Sequence, residues 1–206
     1  MASASGQHRF LALGDSYTIG EGVAKDDRWP EQLVRLLRVE KVPMESPIII
    51  AKTGWTTDEL ARAIEEEKPT GPFDLVSLLI GVNNQYRGRS ADEYRAEFQS
   101  LLNRAIAFAG GKASHVVVLS IPDWGVTPFA EGRNRDLIGQ EIDIFNAINA
   151  EEASLAGTLY LDVAPVSRTA QVDGSLLASA GLHPSGKMYA DWARRVMAKV
   201  LPLFRQ

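Results

Sequence analysis

Residues 10–22 read FLALGDSYTIGEG, an apolar run that stops abruptly at a Gly-Asp-Ser turn. Phe10 to Leu13 reads as a short buried strand, and Gly14 ends it where a larger side chain would obstruct a sharp turn. A serine at such a turn, here Ser16, is expected to be exposed at the end of the strand. The pattern alone also fits a plain strand-to-helix turn, because serine and aspartate are ordinary turn and capping residues.

Four more apolar runs alternate with segments of helical periodicity. The runs lie at residues 48–50, 75–80, 116–119 and 159–161. The helical segments lie at 29–37, 56–67, 90–108, 138–155 (from Ile138 to Leu155) and from Pro184 onward. Capping-box patterns at Thr56/Glu59 and Ser90/Glu93 mark two of the helix starts. A loop of about twenty residues is expected between the fifth run and His183. Strands that are apolar throughout need burial on both faces, so the sequence predicts an α/β protein, a three-layer α/β/α sandwich around a five-stranded parallel sheet.

Composition limits the classes of protein to consider. The chain has 206 residues with 45% hydrophobic and 23% charged residues and a formal net charge of -4, which suits one domain over residues 1–206, with residues 1–7 expected to be flexible. No basic stripe suggests nucleic-acid binding, and the absence of cysteine excludes disulfides, thiolate nucleophiles and Cys-ligated metal. The spacing of His8 and His115 suggests no metal site.

Hydropathy leaves the compartment open. No apolar stretch reaches the length of a membrane span, and the first residues, MASASGQHR, lack the apolar core of a secretory signal. The expected location is cytoplasmic, or periplasmic or secreted if a signal peptide has been removed. The sequence does not predict the oligomeric state.

Polar residues and glycine follow the strands at their carboxyl ends, which share one edge in a parallel sheet. Ser16 follows the first strand, Gly54 the second and Asn83 the third, and His183 lies in the loop after the fifth. A serine hydroxyl needs a base to become a nucleophile, and histidine is the usual base near neutral pH. The Ser16 N–H, the Gly54 N–H and the Asn83 amide are candidate donors to an oxyanion. Each residue also has an ordinary interpretation: Asn83 as a cap, Gly54 as a strand terminator, His183 as a helix-entry residue.

Four sequence blocks in this order resemble the SGNH or GDSL hydrolase family: GDSYT at 14–18, the glycine at 54, GVNN at 81–84 and GLHPSGKMY at 181–189. The resemblance implies a flavodoxin-like sandwich that hydrolyses small-molecule esters through an acyl-enzyme, with Ser16 as nucleophile and His183 as base. It further implies an oxyanion hole made by Ser16, Gly54 and Asn83, and it implies no cofactor. Asp15 is expected to brace the nucleophile turn.

The chain departs from the family pattern at Ala180. Members of the family carry an aspartate three residues before the histidine, and this carboxylate holds the imidazole in its tautomer. Replacing it with a neutral residue costs about 10⁴ in turnover in a serine protease, so Ala180 predicts weak activity on an unchanged fold. Three explanations stay open: a deliberate substitution, a substitute carboxylate from Asp173 or Asp162, or a pseudo-enzyme that only binds ligand. Asn84 stands where the family often has aspartate, and its amide is expected to form hydrogen bonds in the same way.

Apolar side chains beyond the strand ends are candidates for a substrate pocket, namely Trp55, Trp124, Val126 and Phe129. They equally fit packing of a long loop onto the core. Arg87 and Arg89 are interpreted as contacts for an anionic group or as solvated loop residues. No long apolar lid segment is evident, which favours short-chain esters over sugar acetyl esters, thioesters or lysophospholipids. A non-catalytic binding module and a flavodoxin-type nucleotide binder are the competing classes, the latter disfavoured because the first turn has no glycine-rich phosphate cradle.

Overall fold

A single parallel sheet forms the centre of the computed structural model, which describes residues 6–205. Its strands follow the five apolar runs: β1 (Phe10–Gly14), β2 (Ile48–Ala51), β3 (Leu75–Leu79), β4 (Val116–Leu119) and β5 (Leu159–Leu161). Their order across the sheet is β2-β1-β3-β4-β5, and every neighbouring pair is parallel. Every residue of β1, β3 and β4 is buried, which explains why these runs show no polar alternation.

Helices cover both faces of the sheet, which confirms the predicted α/β/α sandwich. On one face α2 (Trp29–Val39) packs against α8 (Gly186–Val200). On the other, α3 (Thr57–Glu67), α5 (Ala91–Phe108) and α6 (Arg135–Ala156) pack in succession. The short helices α1 (Ser16–Ile19), α4 (Val82–Tyr86) and α7 (Ala164–Arg168) each follow a strand of the sheet. None of the helices within residues 6–205 combines the length and apolar character needed to cross a membrane.

Local signals set the helix ends largely as predicted. Thr56 and Glu59 form the complete capping box at the start of α3. At the start of α5 the Ser90 hydroxyl accepts a hydrogen bond from the Glu93 N–H, so the predicted start is confirmed. Gly157 ends α6 in the left-handed conformation, at φ 72°.

Three details of the predicted elements are wrong. The last helix begins at Gly186 rather than Pro184, because the Ser185 hydroxyl caps it by accepting from the Met188 N–H. Leu155 lies on the outer side of α6 and is 75% exposed, since the helix turns that position away from the sheet. The segment between β5 and His183 is not a plain loop, for it contains α7 and two 3-10 turns. Of the segment 1–7 predicted to be flexible, residues 1–5 lie outside the described residues.

The strand order places one crevice at the carboxyl edge of the sheet. The chain passes from β1 to β2 on one side and then returns to β3 on the other, so the connections that leave β1 and β3 diverge. In open α/β sheets this switch point is where ligands bind. Ser16 follows β1 and Asn83 follows β3, which brings both to that crevice.

Candidate active site

Close packing at Gly14 and a helix cap at Asp15 form the turn that carries Ser16. A side chain at Gly14 would lie 2.5 Å from the Leu79 carbonyl oxygen, so only glycine fits between β1 and β3 there. Asp15 caps α1, because its Oδ1 accepts a hydrogen bond of 3.0 Å from the Tyr17 N–H. Ser16 is the first residue of α1 and is 4% exposed, not open to solvent as the turn pattern suggested, because its side chain lies in the wall of a cavity.

Asp15 is fully buried beneath the nucleophile turn. Its second oxygen, Oδ2, has no hydrogen-bond partner among the described residues. Burial therefore raises the pKa of Asp15 to about 7, against the lowering effect of the Tyr17 N–H. The carboxyl group braces the turn as expected, at a cost in free energy whenever it is ionised.

The segments after β2 and β3 meet at the same cavity. Gly54 has φ +88°, a conformation that favours glycine. The Asn83 amide nitrogen donates a 2.8 Å hydrogen bond to the Trp55 carbonyl, and Asn84 exchanges two hydrogen bonds with Thr57, of 3.1 and 2.6 Å. The Asn84 amide thus forms the hydrogen bonds that the sequence predicted for it.

His183 completes the group. Its ring packs edge-on against Tyr17, with 5.5 Å between the ring centroids. Burial lowers the pKa of the His183 ring, while the negative charge of Glu21 raises it. Glu21 is held at this position by the Thr53 hydroxyl, which donates to its carboxylate over 2.5 Å.

Neither carboxylate considered as a substitute for the missing aspartate is free to orient His183. Asp173 accepts from the Lys187 ammonium and from Ser175, which lowers the pKa of Asp173 to about 2. Asp162 accepts from the Ser120 hydroxyl over 2.8 Å. Among the hydrogen bonds within residues 6–205, none involves the His183 ring.

A mainly apolar cavity of about 200 Å³ brings the four predicted residues together. Its walls include Ser16, Gly54, Asn83 and His183, and the aromatic side consists of Tyr86, Trp124 and Phe129. Tyr86 and Leu182 were not predicted as wall residues; Leu182 lies beside His183 in the 181–189 block, and Tyr86 is the last residue of α4. The Trp124 indole N–H donates to Gln85, which fixes the ring in the wall. The Arg133 guanidinium lies over the same three rings, at 5.2 to 5.6 Å from their centroids.

Two of the predicted pocket residues lie elsewhere. Trp55 contributes its carbonyl to Asn83, while its ring packs against the core. Val126 lines a separate, more polar cavity with Asp123 and Arg168, because the 3-10 turn Trp124–Val126 directs successive side chains to different sides.

The two loop arginines, for their part, have partners within the protein. Arg87 donates to the Gly54 carbonyl over 2.7 Å, and Arg89 donates to Asp58 over 2.7 Å. Both side chains keep contact with solvent, Arg87 more than Arg89, and the anionic groups beside them are carboxylates of the protein itself.

Comparison with known proteins places this geometry in a family. Residues 12–190 match the model of the GDSL-like lipase/acylhydrolase family, a span that includes all four sequence blocks. The chain belongs to this family. No curated protein sequence matches the chain.

Solved structures similar to this acylhydrolase-family chain agree with it in fold. The acetylxylan esterase Axe2 from Geobacillus stearothermophilus is 20% identical with a TM-score of 0.71, covering 94% of each chain. The psychrotrophic esterase EstA from Pseudoalteromonas sp. is 16% identical with a TM-score of 0.67, covering 95% of this chain and all of its own. TesA is 20% identical with a TM-score of 0.66, covering 95% of this chain and 99% of its own. At these identities the similarity establishes the shared fold of the family.

Proposed function

We propose that the protein is a serine hydrolase of small or short-chain acyl esters. The observation that carries the proposal is the convergence of Ser16, Gly54, Asn83 and His183 on one apolar cavity. A nucleophile, a base and three oxyanion donors are the parts that acyl transfer needs. Family membership adds support, because the matching family consists of acylhydrolases.

The reaction runs in two halves. His183 removes the Ser16 proton as Oγ forms a bond to the substrate carbonyl carbon, and the resulting oxyanion accepts hydrogen bonds from the donors. The tetrahedral intermediate then expels the alcohol, which takes the proton from His183 and leaves an acyl-serine. Water, deprotonated by His183, attacks the acyl group, and collapse of the second intermediate releases the acid and returns the proton to Ser16.

Cavity size supports a short acyl group. About 200 Å³ lies below the roughly 300–1,000 Å³ of pockets for drug-sized ligands. The apolar wall of Tyr86, Trp124 and Phe129 suits an acetyl or similar chain better than a charged one. A cavity of this size gives less support to lysophospholipids and long-chain thioesters.

Hydrolysis of p-nitrophenyl acetate tests the proposal. We expect slow turnover by the chain with Ala180, a gain of about 10³ to 10⁴ in kcat on Ala180→Asp, and loss of that gain in Ala180→Asp/Ser16→Ala. The gain arises because an aspartate at 180 holds the imidazole and stabilises its charged form. Turnover that does not depend on Ser16 would contradict the proposal. Ester binding without turnover in any variant would favour the alternative, a ligand-binding module on this fold.

A further inference from the structure

Helix α4 and the turn at residues 54–57 are joined by a set of hydrogen bonds, which we name the α4 latch. The latch comprises Asn83 to the Trp55 carbonyl, Arg87 to the Gly54 carbonyl, and the two bonds between Asn84 and Thr57. The two segments of the proposed oxyanion hole that lie outside the nucleophile turn are therefore fixed to one another.

Arg87 is the residue of the α4 latch that contacts both Gly54 and helix α3. One Nη of its guanidinium lies 2.7 Å from the Gly54 carbonyl oxygen and 3.4 Å from the Glu59 carboxylate. Glu59 in turn accepts a 2.9 Å hydrogen bond from the Thr56 N–H at the start of α3. Arg87 thus ties Gly54 to the capping box of α3.

Gly54 needs such a restraint. Glycine has the largest conformational freedom of any residue, and Gly54 has no neighbouring atom within 4 Å of the position a Cβ would take. Its N–H group can stabilise an oxyanion only if its direction is set before the reaction, because preorganisation is the source of the effect. The charged hydrogen bond from Arg87 fixes the peptide plane that follows Gly54, so it restricts ψ of Gly54 and leaves only φ free to turn the N–H away.

We infer that Arg87 is a positioning residue that fixes the Gly54 N–H for the oxyanion. The inference rests on the proposed hydrolase function and adds a residue that does not itself line the cavity. Arg87 acts through Gly54, so its loss should lower the rate of the chemical step and leave ground-state binding of the ester nearly unchanged.

Arg89 supplies a matched control. It lies two residues further along the chain and donates to Asp58 of the same helix α3, over 2.7 Å. Its hydrogen-bond and ion-pair partners among the described residues are the carboxylates of Asp58, Glu93 and Glu97, not Gly54. If these arginines only attach α3, then Arg87→Gln and Arg89→Gln should have the same effect.

Steady-state kinetics on p-nitrophenyl acetate in the Ala180→Asp variant test the inference. We expect Arg87→Gln to lower kcat about tenfold with KM changed less than about twofold, whereas Arg89→Gln keeps kcat within about twofold. Arg89→Gln removes three ion pairs and should lower the melting temperature at least as much as Arg87→Gln, so a loss of kcat confined to Arg87→Gln does not follow from stability. If Arg87→Gln does not fold, Arg87→Met carries the same test, because methionine retains the apolar stem and cannot donate a hydrogen bond to the Gly54 carbonyl.

A second measurement does not depend on turnover. The Ser16 Oγ adds to the carbonyl of a short-chain trifluoromethyl ketone, which places an oxyanion in the proposed oxyanion hole. The inhibition constant of this ketone should therefore rise about tenfold in Arg87→Gln and stay constant in Arg89→Gln. Equal effects of the two substitutions, or no effect of Arg87→Gln, would overturn the inference. Absence of a Ser16-dependent adduct in the Ala180→Asp variant itself would instead contradict the proposed function.

Discussion

An alanine methyl group at position 180 leaves the His183 ring without the carboxylate that usually orients a catalytic imidazole. The charge that acts on the ring comes instead from Glu21, which reaches the cavity through its hydrogen bond to Thr53. This carboxylate is exposed, so water screens much of its effect. Glu21 therefore biases the protonation of His183 without replacing the missing hydrogen bond.

The pH dependence of catalysis should report this bias. The Glu21 charge raises the pKa of His183, so Glu21→Gln should lower that pKa. Because the base must be neutral, the acid limb of kcat/KM in the Ala180→Asp variant should move to lower pH. Asp173→Asn is the control, since Lys187 holds that carboxylate away from His183. An unmoved acid limb in Glu21→Gln would show that the charge does not reach the ring.

At the scale of elements, the connection between β4 and α6 shapes the cavity. It places the Trp124 and Phe129 rings 5.9 Å apart, beside Tyr86 of α4. Phe129 is 43% exposed and stands at the open side of the wall, whereas Trp124 is 4% exposed. The same connection turns Val126 toward a different cavity.

Phe129→Ala should therefore extend the range of acyl chains. Removing the ring opens the wall, so kcat/KM for p-nitrophenyl hexanoate relative to the acetate should rise about tenfold. The fold should persist, because a ring at the open side contributes less to the core than a buried one. Val126→Ala, a substitution in the same connection, should leave the ratio unchanged. A ratio that changes equally in both variants would mean that the loop as a whole sets the preference.

The elements were largely predictable from the sequence, and the contacts between them were not. Apolar runs such as Leu75 to Leu79 are local signals, and so are the Thr56/Glu59 and Ser90/Glu93 caps. The order of strands brings Ser16 and Asn83 to one crevice by a general rule. Glu21 and the contact of Arg87 with Gly54 escaped prediction, because Thr53 lies 32 residues from Glu21 and Gly54 lies 33 residues from Arg87 in the chain. No periodicity records such pairs.

At the scale of the whole molecule, the packing that encloses the site also lowers the stability of the folded protein. β1 lies between β2 and β3, so the turn at its end is enclosed by the sheet and by the helices that cover it. Enclosure holds Ser16 in place and buries Asp15 completely. When Asp15 is ionised it is a buried charge, and its Oδ2 has no hydrogen-bond partner among the described residues.

The free energy of unfolding should record this burden as a pH dependence. The pKa of Asp15 is about 7 in the folded protein, above the value of about 3.9 in an unfolded chain. Between pH 3.9 and pH 7, about the two pKa values, the folded state binds the proton more tightly than the unfolded state. The free energy of unfolding therefore falls as the pH rises through this range and is constant above it.

Asp15→Asn cannot ionise and retains an oxygen acceptor for Tyr17. In urea titrations, the unfolding free energy of Asp15→Asn minus that of the unmodified chain should increase by roughly 4 kcal/mol between pH 4 and pH 8. Ser16→Ala, one residue along, should keep the parent's slope. A difference between Asp15→Asn and the parent that stays constant from pH 4 to pH 8 would mean that water reaches the carboxylate and that the turn beneath Ser16 is open.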